Sequence, residues 1–479
     1  MKNILKTIKI GGYNILFFLV IMVQAQNKPI DYEVDGGVYS YASNDAQNPC
    51  ITSAEYALLN REVSDNLKKI GLANTTHRNT LTTSLIWPLK PATGFIQCDY
   101  HFIGAYVDQN TATTSIQDYN CETNTYDGHH GTDIAIYPYG FYKMDNNQME
   151  VVAAAAGTII QRADGNFDRN CSSNNLTANS IIIQHADGSY ALYWHMKKNS
   201  VTSKTVGQTV VAGEYLGVVG SSGSASGPHL HFEIWTGNTN TTYKDPFSGP
   251  CNTLNANSWW ASQKPHTAPA VIYASVNTTD IVTPGCPTTE TPNESSAYTI
   301  PFQGAGLAPG YAKFYIFMRE IPANSTIDLK ILNPNGSIFN SWTYIPSTLY
   351  KVTYWGFSKL LPTNPGMYTF QATFNGVNCS KSFTITNPLG ITNTADLSGL
   401  KLFPNPANDS FKIICDYIEN GDYTFTLTTI AGQIIEKENT IIETNKLEKK
   451  FSISEYENGI YFMIIEGENT RLVKKLVKS

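Results

Sequence analysis

Charge is scarce in this chain: only 15% of its 479 residues are Asp, Glu, Lys or Arg. That composition disfavours helical solenoids and long solvated helices. No basic cluster occurs before the C-terminal tail, and the formal net charge is −6. An acidic surface repels phosphate, so nucleic acid is not an expected partner. No CxxC pair is present, which disfavours a cysteine-rich zinc module or a thioredoxin-type redox site. Nor is there an apolar run near the roughly 20 residues a spanning helix needs; the N-terminal one covers only residues 15–23.

What is abundant points to β-structure. Hydrophobic residues make up 42% of the chain, with 28 Tyr and 35 Gly, a composition of many strands and turns. The length predicts two to four domains. Lys2, Lys6 and Lys9, the apolar run and Val23-Gln24-Ala25 read as a secretory signal over residues 1–25. Its removal takes three lysines and no acid, leaving a net charge of −9 and no stable membrane insertion. Eight cysteines in an exported chain make disulfides plausible, and Cys286 with Cys379 could staple one domain.

Along the chain, residues 26–80 form an N-terminal extension. Thr52 with Glu55 is a capping box for a helix whose apolar face is Ile51, Leu58, Leu59, Val63, Leu67 and Ile70. A pro-segment role is conceivable, with no specific residue to carry it. Residues 81–247 show short apolar runs broken by Gly, Asn and Asp, as an antiparallel β-domain requires. Within them, residues 180–185 and 189–195 flank an Asp187-Gly188 turn, a hairpin pattern. A linker over 248–292 precedes a β-sandwich of immunoglobulin-like type over 293–388. A second linker, 389–400, leads to a small β-sandwich over 401–479. The expected fold class is therefore mainly β, with three β-modules in series.

The chemistry concentrates in the first of these modules. His129 and Asp133 lie four apart ahead of a β-type run, where alternate side chains share a face. His229 and His231 repeat that logic at spacing two, with Leu230 turned to the core. Two imidazoles and a carboxylate suit zinc and leave a fourth position for water. His195 ends a strand between the two motifs, and a Gly/Ser loop over 220–228 runs directly into the second. Such a loop reads as ordered and shaping a cleft. Glu233, on the same face by alternation, is a candidate partner for a ligand histidine. His130 points to the opposite face, and His77, His101, His185 and His266 have no partner pattern.

His129-x-x-x-Asp133, Tyr193-x-His195 and Gly227-Pro228-His229-Leu230-His231-Phe232-Glu233 together resemble the lysostaphin-type, LytM-like M23 family of zinc endopeptidases. The likeness spans about 160 residues, 81–247. It implies an antiparallel β-sheet metallopeptidase domain binding one Zn²⁺ through His129, Asp133 and His231. It implies catalytic roles for His195 and His229, and cleavage of peptide bonds in peptidoglycan stems or cross-bridges. His229 is the candidate to take a proton from water, and His195 to orient water or stabilise the oxyanion. Two departures from the family pattern, an insertion over 141–149 and a long stretch over 98–121, are expected to rim the cleft. Competing readings are a peptidase for extracellular proteins and a non-catalytic wall-binding regulator, the latter at odds with a full set of five site residues.

The C-terminal module opens on Leu402-Phe403-Pro404-Asn405-Pro406 and carries Asn458-Gly459-Ile460-Tyr461 and a basic end at 474–478. It resembles the type A C-terminal sorting domain of proteins exported by the type IX secretion system. The likeness implies that machinery as a partner and a destination at the cell surface or outside the cell, reached through the periplasm.

Overall fold

The computed structural model describes residues 35–38, 50–73, 83–281, 292–387 and 400–479, apart from 111, 113, 114, 417, 419, 431, 468 and 469. The signal segment, the Pro/Thr-rich stretch 283–291 and residues 389–399 lie outside it. Among the described residues no helix is long and apolar enough to cross a membrane. The chain divides into two compact units, Met1–Ile385 and Thr386–Ser479.

At the heart of the first unit is an eight-stranded antiparallel sheet. Its order is His101–Ala105, Thr132–Ile136, His229–Trp235, Tyr190–Trp194, Ser180–Gln184, Gly157–Ala163 and Thr209–Val210, with Tyr243–Lys244 pairing the far end of His229–Trp235. The expected hairpin is present: Ile181 faces Tyr193 and Gln184 faces Tyr190 across the turn at Gly188, whose φ of +88° suits glycine.

Alternation along these strands builds two apolar layers. One face supplies Leu230, Phe232, Ile234, Ile181, Ile183 and Tyr193 to the main core. The other supplies Trp235, Trp194, Leu192 and Ile182, and the N-terminal helix Ser53–Lys69 covers them with Leu59, Val63 and Leu67. The capping box of Thr52 and Glu55 starts that helix as expected. Its buried face differs in one respect, since Leu58 is 61% exposed and Tyr56 turns inward instead.

Within the expected linker 248–292, the described residues 248–281 carry folded structure. Phe247, Trp259 and Trp260 are buried in the main core beneath the eight-stranded sheet, and Ala270–Asn277 is a strand paired with Tyr311–Arg319. Their polar, Asn- and Ser-rich surroundings masked apolar side chains that need burial. The sandwich therefore begins near residue 270. A four-stranded sheet (Asp35–Val38, Val352–Leu360, Tyr311–Arg319, Ala270–Asn277) faces a five-stranded one (Ala297–Thr299, Val377–Thr386, Gly366–Phe374, Ile327–Leu332, Ile338–Tyr344). Phe314, Ile316, Leu329, Phe370 and Phe383 fill the space between them. The edge strand Asp35–Val38 comes from the N-terminal extension, which thus contributes to both halves of the unit.

The eight-stranded sheet and the sandwich are fastened together. Cys98 pairs with Cys379, and Cys121 with Cys251. The expected Cys286–Cys379 staple is thereby corrected: the bridge joins two modules rather than closing one. The stretch 98–121, expected as a cleft rim, instead supplies the sheet's edge strand His101–Ala105. Likewise the insertion over 141–149 begins as a helix, Gly140–Asp145. The tyrosines ahead of it, Tyr137 and Tyr139, pack on Ile272, Phe317 and Val352 of the sandwich. Arg319, 5% exposed, donates from Nη1 to His101 O (2.6 Å), from Nε to Ala268 O (2.7 Å) and from Nη2 to Asp99 (3.0 Å).

The second unit packs a three-stranded sheet (Lys401–Phe403, Ser410–Cys415, Leu447–Ser452) on a four-stranded one (Ile434–Ile442, Gly421–Thr429, Gly459–Gly467, Thr470–Lys478). Phe411, Ile413, Phe425, Phe451 and Met463 form its core, so the small sandwich expected here is present.

Arg319→Met should lower the unfolding free energy of the first unit by about 3 kcal/mol, since it strands a largely buried carboxylate and two carbonyls. Chemical denaturation measures it. A change within about 0.5 kcal/mol, the range of ordinary surface substitutions, would show that Arg319 does not hold the two sheets together.

Candidate metal centre

Strand register brings the first two residues of the centre together. His231 lies directly opposite Asp133 on one neighbouring strand and opposite Trp194 on the other. Residues opposite each other in an antiparallel pair share a face at close range. Nδ1 of His231 is 2.8 Å from Asp133 Oδ1.

His129 arrives differently from the expectation. The strand begins only at Thr132, so His129 sits on the irregular approach to it rather than on an extended strand. Two hydrogen bonds to the edge segment hold it: its Nδ1 donates to Tyr106 O (2.6 Å), and its carbonyl accepts from Asp108 N (2.7 Å). Tyr126 stacks on its ring at 4.1 Å. Its Nε2 is then 3.2 Å from Asp133 Oδ1 and 3.1 Å from His231 Nδ1. Gly131 makes the approach possible, because a Cβ there would stand 2.6 Å from His231 Cε1.

Hydrogen bonds to the outer nitrogens decide the tautomers. A carbonyl can only accept, so His129 Nδ1 carries a proton, and in the neutral ring that binds a metal Nε2 holds the lone pair. His231 Nε2 donates to Glu233 Oε1 (2.7 Å), leaving the lone pair on Nδ1. Glu233 is fixed in turn by Trp235 Nε1 (2.6 Å) and by the hydroxyl of Tyr56, which donates to Oε1. Three electron pairs thus converge with no donor of their own between them. Donor atoms on a tetrahedral zinc stand roughly 3.3 Å apart, close to the spacing here. These residues fit a divalent cation.

Electrostatics point the same way. Burial opposes charge on His129, but the Asp133 carboxylate beside it prevails and raises its pKa to about 9. Burial likewise works to raise Asp133, yet His129 and His231 hold it well below the ordinary carboxylate range. Glu233 is held at about 2 against its burial, chiefly by the bond from His231. The cluster is built around a positive charge.

Beside it stand His195 and His229, ring centroids 4.4 Å apart. His195 Nδ1 donates to Ser222 O (2.6 Å) and His229 Nδ1 to Gly227 O (2.8 Å). Both therefore present Nε2 lone pairs; that of His195 is buried without a partner among the described residues, and that of His229 lies 3.8 Å from Asp133 Oδ1. Burial, with neighbouring histidines adding to it, lowers the pKa of each, so both are neutral at pH 7. The Gly/Ser loop is ordered, with Ser221 and Ser222 fully buried and Ser222 Oγ bonded to Met196 O at 2.8 Å.

The remaining histidines stand apart. His130 stacks on Tyr243 at 4.0 Å, His185 bonds Ala156 O, His101 bonds Asp99 and His266 bonds Asp118. His77 lies outside the described residues. One member of the centre escaped the sequence reading altogether. Cys50 Sγ is 3.1 Å from His231 Nδ1, and Cys50, His129, Asp133 and His231 present ligand atoms all within 4.8 Å of one another. An even cysteine count concealed it; its position two residues before a helix cap was the available signal. Tyr56 was missed as well, because contacts across 177 residues leave no local pattern.

Residues 127–246 match Peptidase family M23, and residues 401–479 match the Secretion system C-terminal sorting domain. Peptidoglycan DD-endopeptidase ShyC of Vibrio cholerae is 30% identical over 93 residues, 19% of this chain and 20% of that protein. DD-carboxypeptidase/endopeptidase Mpg of Neisseria meningitidis serogroup B is 46% identical over 55 residues, 12% of each chain. Cell division protein DipM of Caulobacter vibrioides is 30% identical over 89 residues, 19% of this chain and 14% of that one. The chain thus spans a fifth or less of the length of these relatives. Among solved structures, the catalytic domain of the prophage-encoded M23 protein EnpA from Enterococcus faecalis is 30% identical, covering 31% of this chain and 95% of that one at a TM-score of 0.19. The chain carries an M23 metallopeptidase domain and a C-terminal sorting domain that directs export to the cell surface or beyond.

Glu233→Ala should weaken metal binding about 10–100-fold, the usual effect of losing the partner that orients a ligand histidine. Competition with a chromogenic chelator measures it. Unchanged affinity would mean that Glu233 serves packing alone.

Proposed function

We propose that the first unit is a zinc endopeptidase, with His129, Asp133 and His231 holding one zinc ion and His195 and His229 as catalytic bases. The convergence of three lone pairs, each histidine's tautomer set by its outer nitrogen, carries this reading. A zinc ion at this position supplies Lewis acidity toward a scissile carbonyl and lowers the pKa of water to about 7. The chain's own groups do the rest. His229 and His195 each offer a neutral acceptor at Nε2, and each can take a proton from water there and then donate it to the leaving amine. Once protonated, Nε2–H is also a donor toward an oxyanion. The shared tautomer makes the two alike in chemistry, so their roles differ by position.

The names of ShyC and Mpg support peptidoglycan as the substrate class. The sorting domain supports the type IX secretion machinery as a partner, and export to the cell surface or beyond supports action outside the producing cell's own wall. Foreign peptidoglycan, in its stem peptides or cross-bridges, is the proposed target. Digestion of purified peptidoglycans with differing cross-bridges beside casein, read by mass spectrometry, tests it. Release of casein peptides with intact peptidoglycan would replace this substrate with extracellular protein.

Two further outcomes are expected. His129→Ala, Asp133→Ala and His231→Ala should each lose zinc. His195→Ala and His229→Ala should keep it and lose about 10²–10⁴-fold in turnover, the usual contribution of a positioned acid–base group. Metal analysis beside the activity assay separates the two sets, and full zinc in Asp133→Ala would sink the ligand assignment. A chain ending near residue 387 should be retained in the periplasm of its host with its peptidase unit folded, since the two units are separately compact. Finding it in the medium would refute the sorting role.

A further inference from the structure

We propose that Cys50 is a fourth ligand of the metal and that the segment carrying it keeps the domain latent. This rests on the zinc site proposed above, and deepens it. Cys50 Sγ stands 3.1 Å from His231 Nδ1 and belongs to one cluster with the ligand atoms of His129, Asp133 and His231. Sulfur and nitrogen on a shared tetrahedral zinc would be about 3.5 Å apart, from bonds of about 2.3 and 2.05 Å. The thiol is thus within reach of the same ion. It is buried and outside any disulfide, as is Cys415 of the second unit, whereas Cys98, Cys121, Cys171, Cys251 and Cys379 are all in disulfides.

The segment around it is built to keep it there. Immediately after Cys50, Thr52 caps the helix Ser53–Lys69, and one turn on Tyr56 donates to Glu233, the carboxylate that orients His231. Further along, Leu59, Val63 and Leu67 lie on Trp194, Leu192 and Trp235, which occupy the sheet face that carries Asp133, His231 and Glu233. Asn66 Nδ2 donates to Ile160 O (2.9 Å), and Asn60 Nδ2 donates to Asn240 Oδ1 (2.9 Å). On the other side of Cys50 the chain is pinned as well, by the pairing of Asp35–Val38 with Val352–Leu360. Apolar burial, hydrogen bonds and strand pairing together set a thiolate over the position water must enter.

A catalytic zinc site keeps an open position, whereas a site with four protein ligands is of the closed, structural kind. With Cys50 in place the centre is closed and the substrate's approach over that face is covered by the helix. Hydrolysis therefore requires Cys50 to leave, through displacement or removal of the segment 50–72. The bond exchange is simple: the metal–sulfur bond breaks, the thiolate takes a proton from solvent, and water enters.

The test uses the full chain, its Cys50→Ser and Cys50→Ala variants, and cobalt in place of zinc. The cobalt form of the parent chain should show a near-ultraviolet sulfur-to-cobalt charge-transfer band that both variants lack, with one metal per chain in all three. In the parent zinc form Cys50 should resist a thiol reagent and react once the metal is chelated, a readout needing no substitution. Both variants should hydrolyse substrate about tenfold or more faster than the parent, reflecting a larger competent fraction. One metal per chain without the charge-transfer band in the parent overturns the Cys50 proposal and leaves the zinc site standing. Failure of the parent to bind metal overturns the zinc site itself.

Discussion

Asp133 faces His231 across two antiparallel strands, and the metal centre depends on that pairing. A slip of one residue would turn every side chain of one strand to the opposite face. His231 and Glu233 would enter the apolar core, and Leu230 and Phe232 would take their place. The register is therefore protected by the energy of the core itself: Leu230, Phe232 and Ile234, all nearly inaccessible, are on the other face of the same strand. The polar centre inherits its precision from apolar packing behind it.

Polar contacts then refine what register delivers. Each histidine of the centre has one nitrogen tied to an outward partner: Tyr106 O, Glu233, Ser222 O or Gly227 O. Three of those four partners are backbone carbonyls, which cannot change protonation state, so the tautomers are set by the fold. The edge strand, the approach loop and the Gly/Ser loop matter to the chemistry for this reason. They supply acceptors rather than reacting groups.

The sheet presents a conflict that the N-terminal segment resolves. Both of its faces carry large apolar side chains, and on one of them Trp194 and Trp235 adjoin the polar centre. Covering the tryptophans with Leu59, Val63 and Leu67 is favourable, and in the latency proposed above the same cover lies over the route to the centre. Stability of the unit and access to its centre thus pull against each other in a single packing contact.

Much of this was legible along the chain. Alternation in Thr132–Ile136 and His229–Trp235 assigned faces, the Asp-Gly turn announced its hairpin, and Thr52 with Glu55 marked a helix start, because each is a local rule of backbone geometry. The four site histidines and Asp133 were read from local spacing and motif as well, together with the small C-terminal sandwich. Other features were decided only by tertiary structure. The Cys98–Cys379 bridge spans 281 positions, Arg319 ties His101 to the sandwich across 218, and Cys50 reaches His231 across 181. The strand at Ala270–Asn277 needed a partner before its apolar run could be told from a linker. Local spacing determines which way a side chain points from its own backbone; which distant group it meets is set by how whole sheets pack, and that no local pattern encodes.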